Sequence, residues 1–174
     1  LRRAVIKLEE GFSGEGNALF YYPPDVPPNL PESEAAKRIL DHLPTSLRYE
    51  APMESWDGFS AKFADMGGIV EAFVEGEHKE SPSAQCRVNA IGEPQVISTH
   101  DQVLGGPSGQ VFLGCTFPAA DAYRLEIQES ARKIATTLAE KGVIGRFGID
   151  YVSVRQPNGR YLHQAIEVNL RKGG

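Results

Sequence analysis

The chain has 174 residues and a mass of 19.0 kDa, and its 41% hydrophobic and 24% charged residues are ordinary globular usage, which excludes disorder of the whole chain. No run of 18 apolar residues exists, so the sequence contains no transmembrane helix. Eighteen Lys and Arg against 23 Asp and Glu give a formal charge of −5 with no basic stripe, which disfavours nucleic acid as the main partner.

The N-terminal residues and the cysteines indicate a compartment. Residues 1–10 contain only a short apolar stretch before Lys7, too short for the core of a signal peptide. Cys86 and Cys115 form no CxxC pair, and the four histidines show no metal-ligand spacing. We therefore expect a reduced, cytoplasmic protein without a zinc site.

Local patterns in the first half of the chain predict two strands and two helices. Residues 4–8 combine apolar and β-branched residues around one lysine, as strands do. Ser33 is expected to cap a helix that runs to about Leu43 and ends at Pro44. The remaining segments are a glycine-rich loop over 11–17, a proline-rich surface loop over 21–31, a helix over 56–66 stopped by Gly67 and Gly68, and a short buried strand over 69–74.

The second half predicts two antiparallel hairpins and one long helix. The helix covers residues 120–141 and ends before Gly142, and its buried face consists of Tyr123, Ile127, Ala131, Ile134 and Leu138. The other segments are strands over 84–91 and 95–98, a glycine-rich loop over 102–111, and strands over 147–154 and 161–169 around Asn158-Gly159. Helices mixed with antiparallel hairpins indicate an α+β fold rather than a doubly wound sheet.

The C-terminal hairpin predicts which side chains face one another. A symmetric two-residue turn on Asn158-Gly159 places Asp150 directly opposite Glu167, with Asn169 on the same face. Opposed carboxylates repel each other, and a divalent cation such as Mg²⁺ would relieve that repulsion. A solvated sheet face is the alternative, and a register slip of one residue would undo the pairing, so the hairpin alone leaves both open.

A cation precedes the glycine-rich loop. Lys7 lies in the first strand, where it either extends into solvent along the sheet or meets a ligand anion. Backbone N–H groups of a glycine-rich loop can approach phosphate oxygens closely. The loop lacks the Gly-Lys-Ser/Thr ending of a P-loop and the dinucleotide-binding spacing, so on these residues alone a plain turn is an equal alternative.

Taken in order, these segments resemble the ATP-grasp superfamily over nearly the whole chain. The matching pieces are a lysine strand (VIKL, 5–8), the glycine-rich loop, an acidic hinge strand (IVEAFV, 69–74), an aspartate strand (GIDY, 148–151) and a Glu-x-Asn-x-Arg ending (EVNLR, 167–171). The stretches KLEEGFSGEGNA, STHDQVLGG and EVNLRKGG look most like the ATP-grasp peptide ligases related to pheganomycin ligase. The resemblance implies two α+β lobes with antiparallel sheets that grip ATP, the first over residues 1–74 and the second over 75–174.

The resemblance also implies roles for individual residues. Nucleotide contacts would come from Lys7, from the loop residues Gly11, Ser13, Gly14, Gly16 and Asn17, from the hinge residues Glu71, Phe73 and Val74, and from Ile166. Mg²⁺, or Mn²⁺ in its place, would be held by Asp150, Glu167 and Asn169. Arg171, with Arg87 as a second cation, would neutralise the transferring phosphoryl group. The ribose contact stays open among His78, Glu77 and Glu80.

The implied reaction joins a carboxylate to an amine. ATP would phosphorylate the carboxylate to an acyl phosphate, and the amine would then displace phosphate. The substrates would be a small-molecule or peptide carboxylate and an amine, with neither nucleic acid nor membrane as partner and a homo-oligomer of the full-length protein left open. Two other functions remain: a small-molecule kinase on the same fold and a non-catalytic nucleotide-binding module.

The two ends of the sequence give a further expectation. The sequence begins inside the lysine strand, and the peptide-ligase subgroup would continue beyond Gly174. We therefore expect most of the nucleotide-binding part of a longer ligase, which by itself binds Mg-ATP weakly and turns over no substrate. Residues 100–102 (HDQ) are expected to begin a polar loop, with a substrate or lid role as the alternative.

Overall fold

The computed structural model describes residues 2–11, 16–105, 109 and 111–171. They form two compact units: the first reaches Val74 and includes the stretch Gly105–Phe112, and the second comprises Glu75–Leu104 and the chain from Leu113 onwards. Two antiparallel sheets and two hydrophobic clusters account for most of the structure. The fold is α+β, as the sequence predicts.

The first unit contains a four-stranded antiparallel sheet in the order β3-β2-β1-β4. Its elements are β1 (Arg3–Leu8), β2 (Asn17–Tyr21), α1 (Glu32–Ser46), β3 (Leu47–Tyr49), α2 (Trp56–Met66) and β4 (Gly68–Ala72). Alternate residues of β1 and β2, such as Ile6 and Phe20, point into a core shared with Phe59 of α2. The opposite face of β1 therefore carries Val5 and Lys7.

The ends of the helices differ from the prediction where proline is involved. α1 begins after Pro31 rather than at a Ser33 cap, and Pro44 lies inside its last turn rather than ending it. A proline so close to the helix end removes only one backbone hydrogen bond, which the turn tolerates. α2 has its predicted bounds, with a Ser55 cap and with Gly67 at φ 81° as its C-cap.

Several strand predictions need correction. β2, β3 and β8 (Val111–Thr116) lie where no strand is predicted. β4 is not buried: Ile69 and Val70 are 49% and 62% exposed, because β4 is an edge strand and the helices pack on β1 and β2. The loop predicted over 102–111 is wrong for residues 102–105, which continue a strand, and residues 106–108 and 110 lie outside the described residues.

The second unit is built on a larger sheet, in the order β10-β9-β6-β7-β8, with β5 also pairing with β9. Its elements besides β8 are β5 (Lys79–Glu80), β6 (Pro82–Val88), β7 (Pro94–Gly105), α3 (Arg124–Glu140), β9 (Gly145–Arg155) and β10 (Tyr161–Asn169). α3 covers one face of this sheet and buries Ile127 and Ala131 against Phe147 and Ile149. The other face carries polar side chains.

The long helix is the most accurately predicted element. Its predicted face is confirmed, since Tyr123, Ile127 and Ala131 are buried and Ile134 and Leu138 pack against them. The helix is shorter than predicted and begins at Arg124. Gly142 follows the C-cap at φ 82°, and the next N–H donates to the Leu138 carbonyl at 3.0 Å, which is a Schellman ending. None of the described helices is long and apolar enough to cross a membrane.

Candidate functional site

The first unit brings Lys7 and Glu71 together. Lys7 lies on the sheet face opposite the core, because Ala4, Ile6 and Leu8 take the inward positions of β1. β4 runs antiparallel beside β1, and the two side chains meet diagonally with Lys7 Nζ 2.6 Å from Glu71 Oε2. The side chains are 19% and 34% exposed, so this ion pair is only partly screened by water.

The glycine-rich loop begins and ends at a close backbone contact. The Leu8 N–H donates to the Gly16 carbonyl at 2.9 Å, and Asn17 then lies directly opposite Lys7 at the start of β2. A Cβ on Gly16 would lie 2.9 Å from the Cα of Gly11, closer than side chains tolerate. Position 16 therefore requires glycine, because a side chain there would clash with the backbone of Gly11. The predicted loop residues Ser13 and Gly14 lie outside the described residues.

The hinge residues Phe73 and Val74 follow the end of β4. The Phe73 N–H donates to the Arg3 carbonyl at 3.1 Å, so the chain stays beside β1 after the strand ends. The guanidinium carbon of Arg3 lies 3.8 Å from the centre of the Phe73 ring, a cation–π contact. The first unit therefore contains the predicted nucleotide residues Lys7, Glu71 and the hinge.

The C-terminal hairpin closes with a three-residue turn, not the predicted two-residue one. The Gly159 N–H donates to the Gln156 carbonyl at 2.9 Å, as in a type I turn. Pro157 takes the second position, which suits its fixed φ, and Gly159 takes the last with φ 81°. The strands therefore leave the turn with Tyr161 opposite Arg155, one residue away from the predicted register.

A β-bulge restores the predicted pairing further along. Ala165 lies opposite Tyr151 and Glu167 lies opposite Asp150, so the register shifts at Ile166, the extra residue of the bulge. Unbroken alternation along β10 would have put Glu167 on the α3 face. The bulge turns it, and Asn169 after it, to the face of Asp150. The pairing of Asp150 with Glu167 is therefore present, although the turn predicted to produce it is wrong.

Asp150 is held by two amide donors. Gln102 Nε2 donates to Oδ1 at 2.7 Å, and Asn169 Nδ2 donates to Oδ2 at 3.0 Å. Burial of the carboxyl group, followed by the charge of Glu167, raises the pKa of Asp150 to about 6. The two amide donors and Arg171 lower that pKa by smaller amounts. Near neutral pH, Asp150 is therefore an anion in surroundings that disfavour its charge.

The arginines lie at different distances from this carboxylate. Arg171 is two residues past Asn169, and its charge acts on Asp150. Arg87 shares the face of Asp150 but lies four residues along β6 from the position opposite it, about 14 Å away at strand spacing. Arg87 is directly opposite Arg146, and within the described ranges neither arginine has a carboxylate partner. The structure therefore does not bring Arg87 to the carboxylate pair.

The donor set around Asp150 fits a divalent cation. Two carboxylates on neighbouring strands and the amide oxygen of Asn169 are hard donors that Mg²⁺ accepts. A cation would also offset the repulsion and burial that raise the pKa of Asp150. Among the residues that the structure describes, no group of three or more His, Cys, Asp and Glu side chains could hold a metal. A cation here would therefore take further oxygens from water or from a bound phosphate.

Residues 100–102, expected to begin a loop, lie in β7 and point to both faces of the sheet. Asp101 faces α3, where it accepts from the Tyr123 hydroxyl at 2.7 Å and from a backbone N–H at 2.8 Å, and so fixes the chain before the helix. Gln102 faces the other side and reaches Asp150. The sequence singled out Gln102 with its neighbours for a substrate or lid role but did not predict its contact with Asp150, which depends on the pairing of distant strands.

Two relatives of known name match this chain over about two thirds of its length. An L-propargylglycine–L-glutamate ligase of Streptantibioticus cattleyicolor is 40% identical over 116 residues, which are 67% of this chain and 22% of the ligase. IQ motif-containing protein H of Danio rerio is 26% identical over 127 residues, which are 70% of this chain and 12% of that protein. The chain thus matches less than a quarter of the length of either relative.

Solved structures share the fold at low sequence identity. Biotin carboxylase of Campylobacter jejuni, solved as a β-γ-ATP complex, gives a TM-score of 0.58 at 14% identity over 98% of this chain and 31% of its own. N5-carboxyaminoimidazole synthetase of Staphylococcus aureus, solved with ADP, gives 0.54 at 11% identity over 99% of this chain and 35% of its own. At these identities the likeness shows the fold alone.

The family comparison covers most of the chain. The family described as IQCH-like, ATP-grasp matches residues 27–171, which include the hinge strand and the whole hairpin of Asp150 and Glu167. The match begins after Lys7 and the glycine-rich loop, so their roles rest on the resemblance of the motifs. The ATP-grasp resemblance is confirmed, and the chain belongs to the IQCH-like ATP-grasp family.

Proposed function

We propose that this chain is the nucleotide-binding part of an ATP- and Mg²⁺-dependent ligase that joins a carboxylate to an amine. The observation that carries the proposal is the direct opposition of Asp150 and Glu167 on one sheet face, with Asn169 beside them. Such a pair is destabilising unless a cation joins it. Membership of the ATP-grasp family and 40% identity to a ligase named for two amino acids support the choice of reaction.

In this proposal the second unit holds the metal. Asp150 and Glu167 would supply carboxylate oxygens to the cation, and Asn169 would supply its amide oxygen. When bound, Mg²⁺ neutralises phosphate charge and aligns the phosphoryl group for transfer. Gln102 keeps Asp150 in place through its hydrogen bond to Oδ1, so it is a positioning residue. Arg171, whose charge acts on Asp150, neutralises the transferring group.

The first unit supplies contacts to the nucleotide. The Lys7 ammonium has three donors, so it can donate to a phosphate oxygen while it keeps its bond to Glu71. The glycine-rich loop, whose ends Gly11 and Gly16 lie in close contact, would bind the β- and γ-phosphates through backbone N–H groups. The hinge backbone at Val74 holds the adenine edge. These contacts position the phosphates and need no protein nucleophile.

The substrates in this proposal are a small-molecule or peptide carboxylate and an amine. The carboxylate is phosphorylated by ATP to an acyl phosphate, and the amine displaces phosphate to give the amide. Arg87 lies too far along the sheet to contact the metal, so it has no part in this proposal. A cytoplasmic location is part of the proposal and agrees with the two free thiols, Cys86 and Cys115.

The test is a screen of the full-length protein for ADP release with pairs of amino acids and peptides. We expect release that needs both substrates and Mg²⁺, with the amide identified by mass spectrometry. Glu167→Gln should abolish it, while Glu140→Gln, an equal charge change on the exposed side of α3, should not. A stable phosphorylated product formed without an amine would instead identify a kinase. Nucleotide binding without turnover of any pair would identify a binding module and contradict the ligase.

A further inference from the structure

Three side chains outside the Asp150 site form a second cluster on the same sheet face. Ser98 and His100 lie on β7, and Cys115 lies on the neighbouring strand β8. His100 is directly opposite Ser83, which is directly opposite Asp150, so the cluster begins two strands, about 10 Å, from that carboxylate. None of the three side chains has a part in the proposed ligase chemistry.

The cluster has the geometry of an activated nucleophile. The Cys115 sulfur lies 3.7 Å from His100 Nδ1, and His100 Nε2 lies 2.8 Å from the Ser98 hydroxyl. When Nε2 carries the ring hydrogen, its N–H donates a hydrogen bond to the Ser98 hydroxyl. Nδ1 then has a lone pair that can accept the thiol proton. A nucleophile within reach of a base that a third group orients is the arrangement that nucleophilic sites share.

The two cysteines of the chain differ in access. Cys115 is exposed, whereas Cys86 is completely buried in the core beneath α3. Burial also raises the pKa of the Cys86 thiol to about 11. A reagent in solution therefore reaches Cys115 and not Cys86 as long as the protein is folded. The chain thus provides its own unreactive reference thiol.

We propose that Cys115 is a thiol-modification site that forms mixed disulfides with small disulfides, with His100 as its proton acceptor. The thiol proton moves to His100 Nδ1, and the thiolate attacks one sulfur of the disulfide R–S–S–R. The Cys115–S–S–R bond forms as the original S–S bond breaks. The leaving thiolate takes up the proton and departs as R–SH. A small thiol reverses the exchange, so the modification responds to the redox state of the surroundings.

The first test locates the modification. The folded chain is incubated with oxidised glutathione and analysed by intact mass spectrometry and peptide mapping. We expect one glutathione per chain, bound at Cys115, and its removal by reduced glutathione. Cys115→Ser should prevent the addition, and Cys86→Ser should leave its rate unchanged. Modification of Cys86 at a rate similar to that of Cys115 would overturn the proposal.

The second test isolates the base. His100→Gln should slow the modification near pH 7 by about fivefold or more, since the thiol loses its proton acceptor. His163→Gln is the matched control: its imidazole also lies 2.7 Å from a serine hydroxyl, that of Ser153, but on the α3 face. Equal rates for these two variants would contradict the role of His100.

A third measurement separates chemistry from structure. In His100→Ala, free imidazole in the buffer should restore part of the lost rate, which a purely structural role would not allow. If the His100 variants do not fold, Ser98→Ala leaves the imidazole in place and removes its orienting partner. A modification rate about twofold or more below that of the unmodified sequence is then expected, and an unchanged rate would count against the cluster.

Discussion

Each unit pairs two charged side chains across neighbouring antiparallel strands, but the charges attract in one unit and repel in the other. In the first unit, Lys7 and Glu71 have opposite signs and lie 2.6 Å apart. In the second, Asp150 and Glu167 have the same sign and face each other directly. The first pair is balanced by the protein itself, whereas the second is offset only in part by Arg171 and the two amide donors, and in the proposed function a cation supplies the rest. The two pairs thus differ in whether the sheet itself supplies the opposite charge.

The largest effect is expected when one carboxylate of the Asp150–Glu167 pair is removed. Glu167→Gln should lower Mg²⁺-dependent ATP affinity of this chain by at least about 100-fold, beyond the 10- to 100-fold that outer partners of a metal ligand contribute. Titration calorimetry with and without Mg²⁺ measures the effect, with Glu140→Gln as the control. Unchanged affinity in Glu167→Gln would show that the carboxylate pair does not hold the metal.

The second prediction uses pH in the absence of metal. The pKa of Asp150 is about 6 in the folded chain against an ordinary value of 3.8, so between these values the folded state binds more protons than the unfolded state. The free energy of unfolding should therefore fall as pH rises from about 4 to 7, by up to about 2 kcal/mol after allowance for partial solvent access. Urea unfolding across this range measures the change.

Asp150→Asn is the control for this pH effect, because it removes the titrating group and keeps its shape. The part of the pH dependence due to Asp150 should disappear in that variant. Excess Mg²⁺ should also reduce the loss in the unsubstituted chain, since the cation favours the charged carboxylate. If the unsubstituted chain and Asp150→Asn show the same pH dependence of unfolding, Asp150 is not the group whose titration changes the stability.

The third prediction concerns Gln102, whose side-chain amide donates a hydrogen bond to Asp150. Gln102→Leu removes the hydrogen bond to Asp150 Oδ1 and leaves the carboxylates in place. Mg²⁺-dependent nucleotide affinity should fall by about 10-fold, the lower end of the range for partners of metal ligands. Gln164→Leu, on the exposed part of β10, is the matched control. Equal affinities for the two variants would assign Gln102 no positioning role.

The smallest effect is expected for the ion pair between Lys7 and Glu71. A double-mutant cycle on Lys7→Met and Glu71→Gln should give a coupling of about 1 kcal/mol or less in the free energy of unfolding, because the pair is partly exposed. Thermal or urea unfolding measures each corner of the cycle. A coupling of several kcal/mol would mean that water screens this ion pair far less than its exposure indicates.

Local sequence patterns predicted the helices and strands whose own residues favour that conformation. The face of α3 could be predicted because Ile127 and Ala131 follow the helical period, and the Lys7 strand because its neighbours are β-branched. β3 has only three residues, too few for periodicity. Contacts such as that of Gln102 with Asp150 depend on which strands pair, and this is decided by the whole sheet rather than by the local sequence.

The hairpin shows how a correct pairing can follow from a wrong premise. The sequence favours Asn158-Gly159 as a two-residue turn, but Pro157 fits a three-residue type I turn, which shifts the strands by one residue. The bulge at Ile166 cancels that shift before Asp150 is reached. Pro157 is a local signal for that turn, whereas the bulge has no local pattern because it concerns the geometry of two strands together.

The bulge at Ile166 also links the choice of register to the chemistry of the site. Without it, the register set by the turn would continue, and Glu167 would lie opposite Ile149 on the α3 face, in the position that Val168 holds, rather than beside Asp150. Val168 is 40% exposed in that position, so a carboxylate there would keep its contact with water but would lie on the opposite face from Asp150. The bulge therefore brings the acidic residue that the proposed reaction requires to the face of Asp150, so a change of register in this hairpin would remove a ligand from the site without altering any of its residues.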